Sequence, residues 1–160
     1  MAGSARLDRA RAVEVLNELM QLEYTGLAQY TQHGLLVRGP ERLVWAPWFQ
    51  DEAEECLKHA RLMGEKVVAL GGVPTVERLP VQQATTLEAM LRLDLDLERK
   101  AVAGYQAALD EFAADTPLRV LLENQVLEET THVEELERIL AAGPSAVRSG
   151  APVVRARRAG

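Results

Sequence analysis

The stretch Glu128-Glu129-Thr130-Thr131-His132 decides how this chain is interpreted, and Glu55-Cys56-Leu57-Lys58-His59 repeats it in weaker form. Each stretch stands late in a long amphipathic segment. Each follows another such segment with one inward-facing Glu, Glu23 before the weaker stretch and Glu98 before the stronger one. A Glu from each of two helices and a Glu-x-x-His from each of two others form the dimetal ligand set of a carboxylate four-helix bundle. One member is changed here, because Cys56 stands where the second Glu-x-x-His should begin.

The composition indicates one mainly helical domain. Of the 160 residues, 48% are hydrophobic and only 4% are aromatic, and the abundance of Ala, Leu, Glu and Arg favours helices. No apolar run approaches the roughly 18 residues of a membrane span. The net charge of −6 argues against nucleic acid, because proteins that bind it are usually basic. We therefore expect neither a membrane nor a nucleic acid as partner.

The single cysteine and the N-terminal residues predict the compartment. One cysteine cannot make an intramolecular disulfide, which is typical of a protein in a reducing environment. Residues 1–10 contain two arginines but neither an apolar core nor a cleavage signal. We expect a cytoplasmic protein.

Apolar residues recur at three- and four-residue steps in four segments, and each segment predicts a helix. Pro47 should kink the second helix or delay its start. Thr85-x-x-Glu88 reads as a capping box at the start of the third, and Pro117 suits the first position of the fourth. The predicted helices cover about residues 8–36, 41–70, 85–113 and 117–142.

The longest connection, residues 71–84, predicts how the helices are joined. A helix of about 30 residues is about 45 Å long, and fourteen extended residues span about the same distance. This linker can therefore cross the whole bundle, whereas the other two connections are short. Two helical hairpins joined by one long crossover give an all-α, ferritin-like four-helix bundle. We assign this bundle to residues 1–142.

Residues 143–160 form a basic tail rich in Gly, Pro, Ala and Arg. The tail carries four arginines and no acid, and its composition is typical of a disordered or loosely docked segment. No fifth helix is evident from it.

The two halves of the chain repeat one another. Both the first and the third helix carry Leu-Glu-x₄-Ala-x-Tyr, ending at Tyr30 and Tyr105. The two glutamates of this pattern are 75 residues apart and the two histidines 73. This register predicts two hairpins related by a pseudo-twofold axis, each supplying a Glu, a Tyr and an acidic turn with a His.

These residues predict a dinuclear metal site. Buried carboxylates are unfavourable unless cations neutralise them, and carboxylates with one imidazole per metal suit iron, manganese or zinc. Glu23 and His59 would hold one metal, and Glu98 and His132 the other, with Glu129 bridging. Tyr30 and Tyr105 would donate hydrogen bonds to the ligands or simply pack in the core. Taken singly, a Glu on an apolar stripe is usually a solvated edge residue and a His a hydrogen-bonded core residue.

Between about residues 12 and 141 the chain resembles the bacterioferritins, within the ferritin-like superfamily. The resemblance implies a di-iron centre that oxidises ferrous iron with oxygen or peroxide. The stretches that carry it are Leu16-Asn17-Glu18-Leu19, Glu23, Gln29-Tyr30, His33, Lys58-His59-Ala60, Met90-Leu91-Arg92, Asp94-Leu95, Glu98 and Glu128-Glu129-x-x-His132.

The chain departs from that family in three places. Cys56 replaces a bridging Glu, and Leu57 stands at the position of the haem-ligating Met, so no haem is expected. The tail replaces the short fifth helix that closes a 24-subunit cage, so we expect a homo-oligomer, a dimer or a larger assembly, without assuming a cage.

The replacement at Cys56 leaves several readings open. A thiolate can ligate iron, zinc or copper and is oxidisable beside an oxygen-activating metal. Alternatively Cys56 is a small core residue, and Glu52 or Glu55 substitutes as ligand.

The function expected from the sequence is that of a ferroxidase-like oxidoreductase with two iron ions, acting in iron homeostasis or oxidative-stress defence. Ferrous iron and oxygen or peroxide would be its reactants. Two alternatives remain: a manganese or mixed-metal oxidase or peroxidase, and a metal-binding or purely structural bundle without catalysis.

Overall fold

Four helices form the part of the chain that the computed structural model describes, residues 7–143. They are α1 (Arg9–Leu36), α2 (Arg42–Ala69), α3 (Leu87–Phe112) and α4 (Thr116–Ala142), with no strand among the described residues. The all-α four-helix prediction is confirmed. The predicted basic tail lies almost wholly outside the described residues. Across residues 7–143, no helix has the length and apolarity of a membrane span.

The helices pack as two hairpins, α1 against α2 and α3 against α4, and the long connection between α2 and α3 joins them. Residues 72–84 of that connection form neither helix nor strand. Three polar side chains of α1 fasten it through its backbone. Asn17 binds the C=O of Val73 and the N–H of Thr75, Thr25 accepts from the N–H of Leu79, and Gln29 accepts from the N–H of Gln82.

The interior contains two apolar clusters, one towards each end of the bundle. One includes Leu16 and Met63, and the other includes Phe49 and Leu91. One buried ionisable residue on each helix stands between the positions that fill these two clusters: Glu23, His59, Glu98 and Glu129. The sequence therefore forms a polar layer inside an otherwise apolar core.

The prediction for the start of α3 was wrong. The N-cap of α3 is Thr86, whose side chain accepts from the N–H of Ala89 and whose C=O accepts from Met90, so Thr85 caps nothing. Glu88 lies 2.7 Å from Arg92 instead of closing a capping box. Of the two effects predicted for Pro47, a kink or a delayed start, the delayed start is excluded, because α2 starts before it at Arg42 and continues through it without that backbone donor.

Candidate metal centre

Five ionisable side chains from the four helices converge in the polar layer. Glu129 stands at the centre, with only 2% of its surface exposed. Its Oε1 lies 2.7 Å from His59 Nδ1, and its Oε2 lies 3.6 Å from His132 Nδ1. The two oxygens of one carboxylate thus face two different histidines, as a bridging ligand requires.

Two three-residue groups share this carboxylate. In the first, Glu23, His59 and Glu129 have ligand atoms within 4.8 Å of one another; in the second, Glu98, Glu129 and His132 do. His59 Nδ1 is 3.6 Å from Glu23, and His132 Nδ1 is 3.9 Å from Glu98. The pairing of residues is the one that the sequence repeat predicts.

The two tyrosines link the hairpins. The hydroxyl of Tyr105 donates to Glu23 at 2.5 Å, and the hydroxyl of Tyr30 donates to Glu98. Each tyrosine therefore holds the glutamate of the other hairpin, and both rings are buried. A donor on one carboxylate oxygen orients the group and leaves the other oxygen free to bind a cation.

Burial and mutual contacts shift the protonation of the group. Burial raises the pKa of Glu23, and it raises the pKa of Glu98 to about 8. Burial opposes a charge on His59, but hydrogen bonds to Glu129 and Glu23 outweigh it and raise its pKa to about 11. The pKa of His132 is raised to about 10, since hydrogen bonds to Glu129 and Glu98 again outweigh burial. Protons thus compensate the charges where divalent cations would, and metal binding would release them.

Cys56 lies near the carboxylates of this group but belongs to neither set of potential ligands. Its Sγ packs against the backbone of Gly26 so closely that a Cβ built on Gly26 would lie 2.6 Å away. The thiol belongs to the apolar cluster that contains Phe49. Burial and the surrounding carboxylates raise its pKa well above the ordinary value, which favours the neutral thiol. Among the described residues, Cys56 is in none of the groups of potential ligands.

Glu52 and Glu55, the two possible substitutes for the bridging glutamate that Cys56 replaces, point in different directions. Glu52 is buried, with 2% exposed, and its Oε2 lies 4.0 Å from His132 Nδ1. Glu55 is 36% exposed and lies 3.5 Å from Lys58 and 3.9 Å from His59 Nε2. Glu52 therefore faces the centre and Glu55 its rim.

Sequence reasoning missed the partner of His59. Glu128 Oε2 lies 2.9 Å from Nε2, the ring nitrogen opposite the one that faces Glu129. Its position directly before Glu129 was the available signal, because α4 presents successive residues about 100° apart. A carboxylate on the outer nitrogen fixes the orientation of the ring and leaves Nδ1 for a metal.

The sequence also did not predict a second buried polar cluster, formed by Gln29, His33 and Asp94. His33 Nδ1 lies 2.9 Å from one oxygen of Asp94, and Gln29 donates to the other at 2.9 Å. Asp94 stands one helical turn before Glu98, so this group adjoins the site. No ligand role was assigned to it, and the hydrogen bond between Gln29 and the crossover indicates a structural one.

The donors present suit iron. Carboxylate oxygens with one imidazole for each metal are ligands that iron, manganese and zinc all accept. The paired three-residue groups offer two adjacent positions that share Glu129, and the apolar clusters at either end shield them from water.

Comparisons with known proteins agree with this geometry. The family model for the ferritin-like domain matches residues 13–145. A bacterioferritin of Streptomyces coelicolor is 24% identical over 128 residues, which cover 78% of this chain and 77% of that protein. The crystal structure of a ferritin-like, diiron-carboxylate protein from Bacillus anthracis is 32% identical, with a TM-score of 0.79, and the match covers 88% of this chain and 99% of that one.

A bacterioferritin structure from Rhodobacter capsulatus, described with a metal-free dinuclear site and a haem iron, is 26% identical with a TM-score of 0.81. That match covers 92% of this chain and 98% of the other. The chain therefore belongs to the ferritin family, as a bacterioferritin-like member of the ferritin-like superfamily. Its family and its ligand groups support iron binding.

Proposed function

We propose that this protein binds two iron ions at the candidate centre and oxidises ferrous iron with oxygen or peroxide. The observation that carries the proposal is Glu129, whose two oxygens face His59 and His132 from within a buried layer. Glu23 would complete one metal position and Glu98 the other. Bound iron would supply the electrons that reduce oxygen or peroxide.

The protein's own residues would hold and orient these ions. Tyr105 and Tyr30 fix one oxygen each of Glu23 and Glu98, and Glu128 fixes the ring of His59. Preorganised ligands lose little conformational entropy when the ions bind. The carboxyl and imidazolium protons displaced on binding would leave through the exposed rim near Glu128, which is 42% exposed.

The remaining features of the proposal concern cofactor, assembly and compartment. We expect no haem, because Leu57 lacks the thioether that would bind its iron. We expect a homo-oligomer, a dimer or larger, because several large apolar side chains are exposed on the helices, among them Leu35, Leu43 and Leu127. We also expect a cytoplasmic location, because a single cysteine is typical of proteins in a reducing compartment.

The test is anaerobic loading of the full chain with ferrous iron, followed by desalting, elemental analysis and addition of oxygen. We expect two irons per chain, and oxygen consumption with formation of ferric iron. Glu129→Gln should lose at least one iron and most of the oxidation. Glu134→Gln, an exposed change on the same helix, is the matched control and should keep both.

The outcomes separate the alternatives. Two irons without oxygen consumption would leave a metal-binding protein and refute the oxidation. Stronger binding and turnover with manganese would favour a manganese or mixed-metal oxidase or peroxidase. Fewer than two metals of any kind would refute the dinuclear centre and favour a structural bundle.

A further inference from the structure

We propose that Glu52 supplies the carboxylate that Cys56 does not, as a fourth ligand of the metal held by Glu98, Glu129 and His132. This inference rests on the dinuclear site proposed above. It assigns a ligand from one helical turn before the family's position, so that the site is completed by a shift along α2.

The geometry around His132 supports this assignment. Its Nδ1 is surrounded by carboxylate oxygens from three helices, at 3.6 Å from Glu129, 3.9 Å from Glu98 and 4.0 Å from Glu52. Two ligand atoms bound to one metal at about 2.1 Å are about 3.0 Å apart at right angles and about 4.2 Å apart when opposite. Each of the three separations from Nδ1 falls between these limits. Glu98, Glu129 and His132 already have ligand atoms within 4.8 Å of one another, and the side chain of Glu52 would have to move towards Glu98 and Glu129 to join them on one cation.

The helix register explains why Glu52 can replace a residue at position 56. Residues four apart lie on one helical face, so Glu52 and Cys56 point the same way from α2 at positions one turn apart. The longer side chain of Glu52 can extend along the axis towards α4. Glu52 is 2% exposed, so its carboxylate has given up most of its hydration, and a bound cation would stabilise its negative charge.

The contact between Cys56 and Gly26 supports the same conclusion from the other side. Sγ occupies the space that the absent side chain of Gly26 leaves on α1. A thiolate that ligated a metal would have to leave this contact. With Glu52 as a ligand, the two metal positions would be unequal. The position that includes His132 would have four protein ligands, and the position that includes His59 would have three.

The experiment is an anaerobic titration of the metal-free full-length protein with cobalt(II), monitored by calorimetry and absorption spectroscopy. Elemental analysis of the loaded protein gives the number of bound ions. We expect two ions per chain in the wild type and no thiolate-to-cobalt charge-transfer band. Glu52→Gln should lower the affinity for one ion by about tenfold or more and leave the affinity for the other unchanged. Glu54→Gln, an exposed change on the same helix, is the matched control and should bind both ions as the wild type does.

Two further variants keep the test decisive. Cys56→Ala should bind both ions with wild-type affinity. The double variant Glu52→Gln/Cys56→Glu should recover the affinity for the ion that Glu52→Gln binds weakly. This recovery would show that Glu52→Gln loses a ligand and does not misfold. Two results would overturn the assignment of Glu52 while leaving the dinuclear site in place. One is a thiolate band in the wild type that disappears in Cys56→Ala, and the other is wild-type affinity for both ions in Glu52→Gln. Fewer than two ions in the wild type would overturn the dinuclear site as well.

Discussion

Replacement of Gly26 by Ala tests where the thiol of Cys56 lies. A Cβ at this position would stand 2.6 Å from Sγ, 3.6 Å from Cβ of Cys56 and 3.7 Å from Leu97. Only the first of these contacts is shorter than van der Waals distance. The collision therefore involves one atom, and Cys56→Ala removes that atom.

The expected magnitude combines two opposing terms. Overpacking in a core costs about 1–3 kcal/mol, whereas Gly to Ala within a helix stabilises by about 1 kcal/mol. Gly26→Ala alone should therefore change the free energy of unfolding by between about 0 and 2 kcal/mol, as a destabilisation. In the Cys56→Ala background the same change should stabilise by about 1 kcal/mol. The coupling between the two sites is then about 1–3 kcal/mol.

The assay is urea unfolding of the wild type, both single variants and the double variant, in the metal-free form and after metal loading. A coupling below about 0.5 kcal/mol would show that the two changes act independently, and would refute the packing of Sγ against Gly26. A coupling that vanishes only on metal loading would show that the thiol leaves Gly26 to become a ligand.

The other predictions concern a cap, the crossover and pH. Thr86→Ala should cost about 1 kcal/mol in urea unfolding and Thr85→Ala close to nothing, because only Thr86 caps α3. Asn17→Ala should cost about 1–3 kcal/mol by loss of two hydrogen bonds to the crossover, with the exposed Asn124→Ala as control; equal effects of the two would contradict this role. The two histidines of the site have a folded-state pKa of about 10 and about 11 against an ordinary 6.5. Their contribution to the stability of the folded protein is therefore complete below about pH 6.5 and should be lost as the pH rises towards 10–11. The thermal unfolding temperature of the metal-free protein should fall across that range.

Local patterns along the chain were sufficient to predict the helices and the pairing of the candidate ligands. Apolar periodicity defines four helices, and the spacing of Glu129 and His132 places both on one face of α4. The repeat ending at Tyr30 and Tyr105 predicts equivalent positions in the two hairpins. The crossed hydrogen bonds, from each tyrosine to the glutamate of the other hairpin, could not be read from it, because they depend on how the hairpins dock.

The sequence by itself determined the fold class, the long crossover and a set of carboxylates and histidines in matched register, because helical period and chain length are properties of consecutive residues. Only the tertiary structure decided between neighbouring candidates. It turns Cys56 against Gly26, Glu52 towards His132 and Glu128 onto His59. These choices depend on the space and charge that other helices present to α2, and residues far apart in the chain supply both.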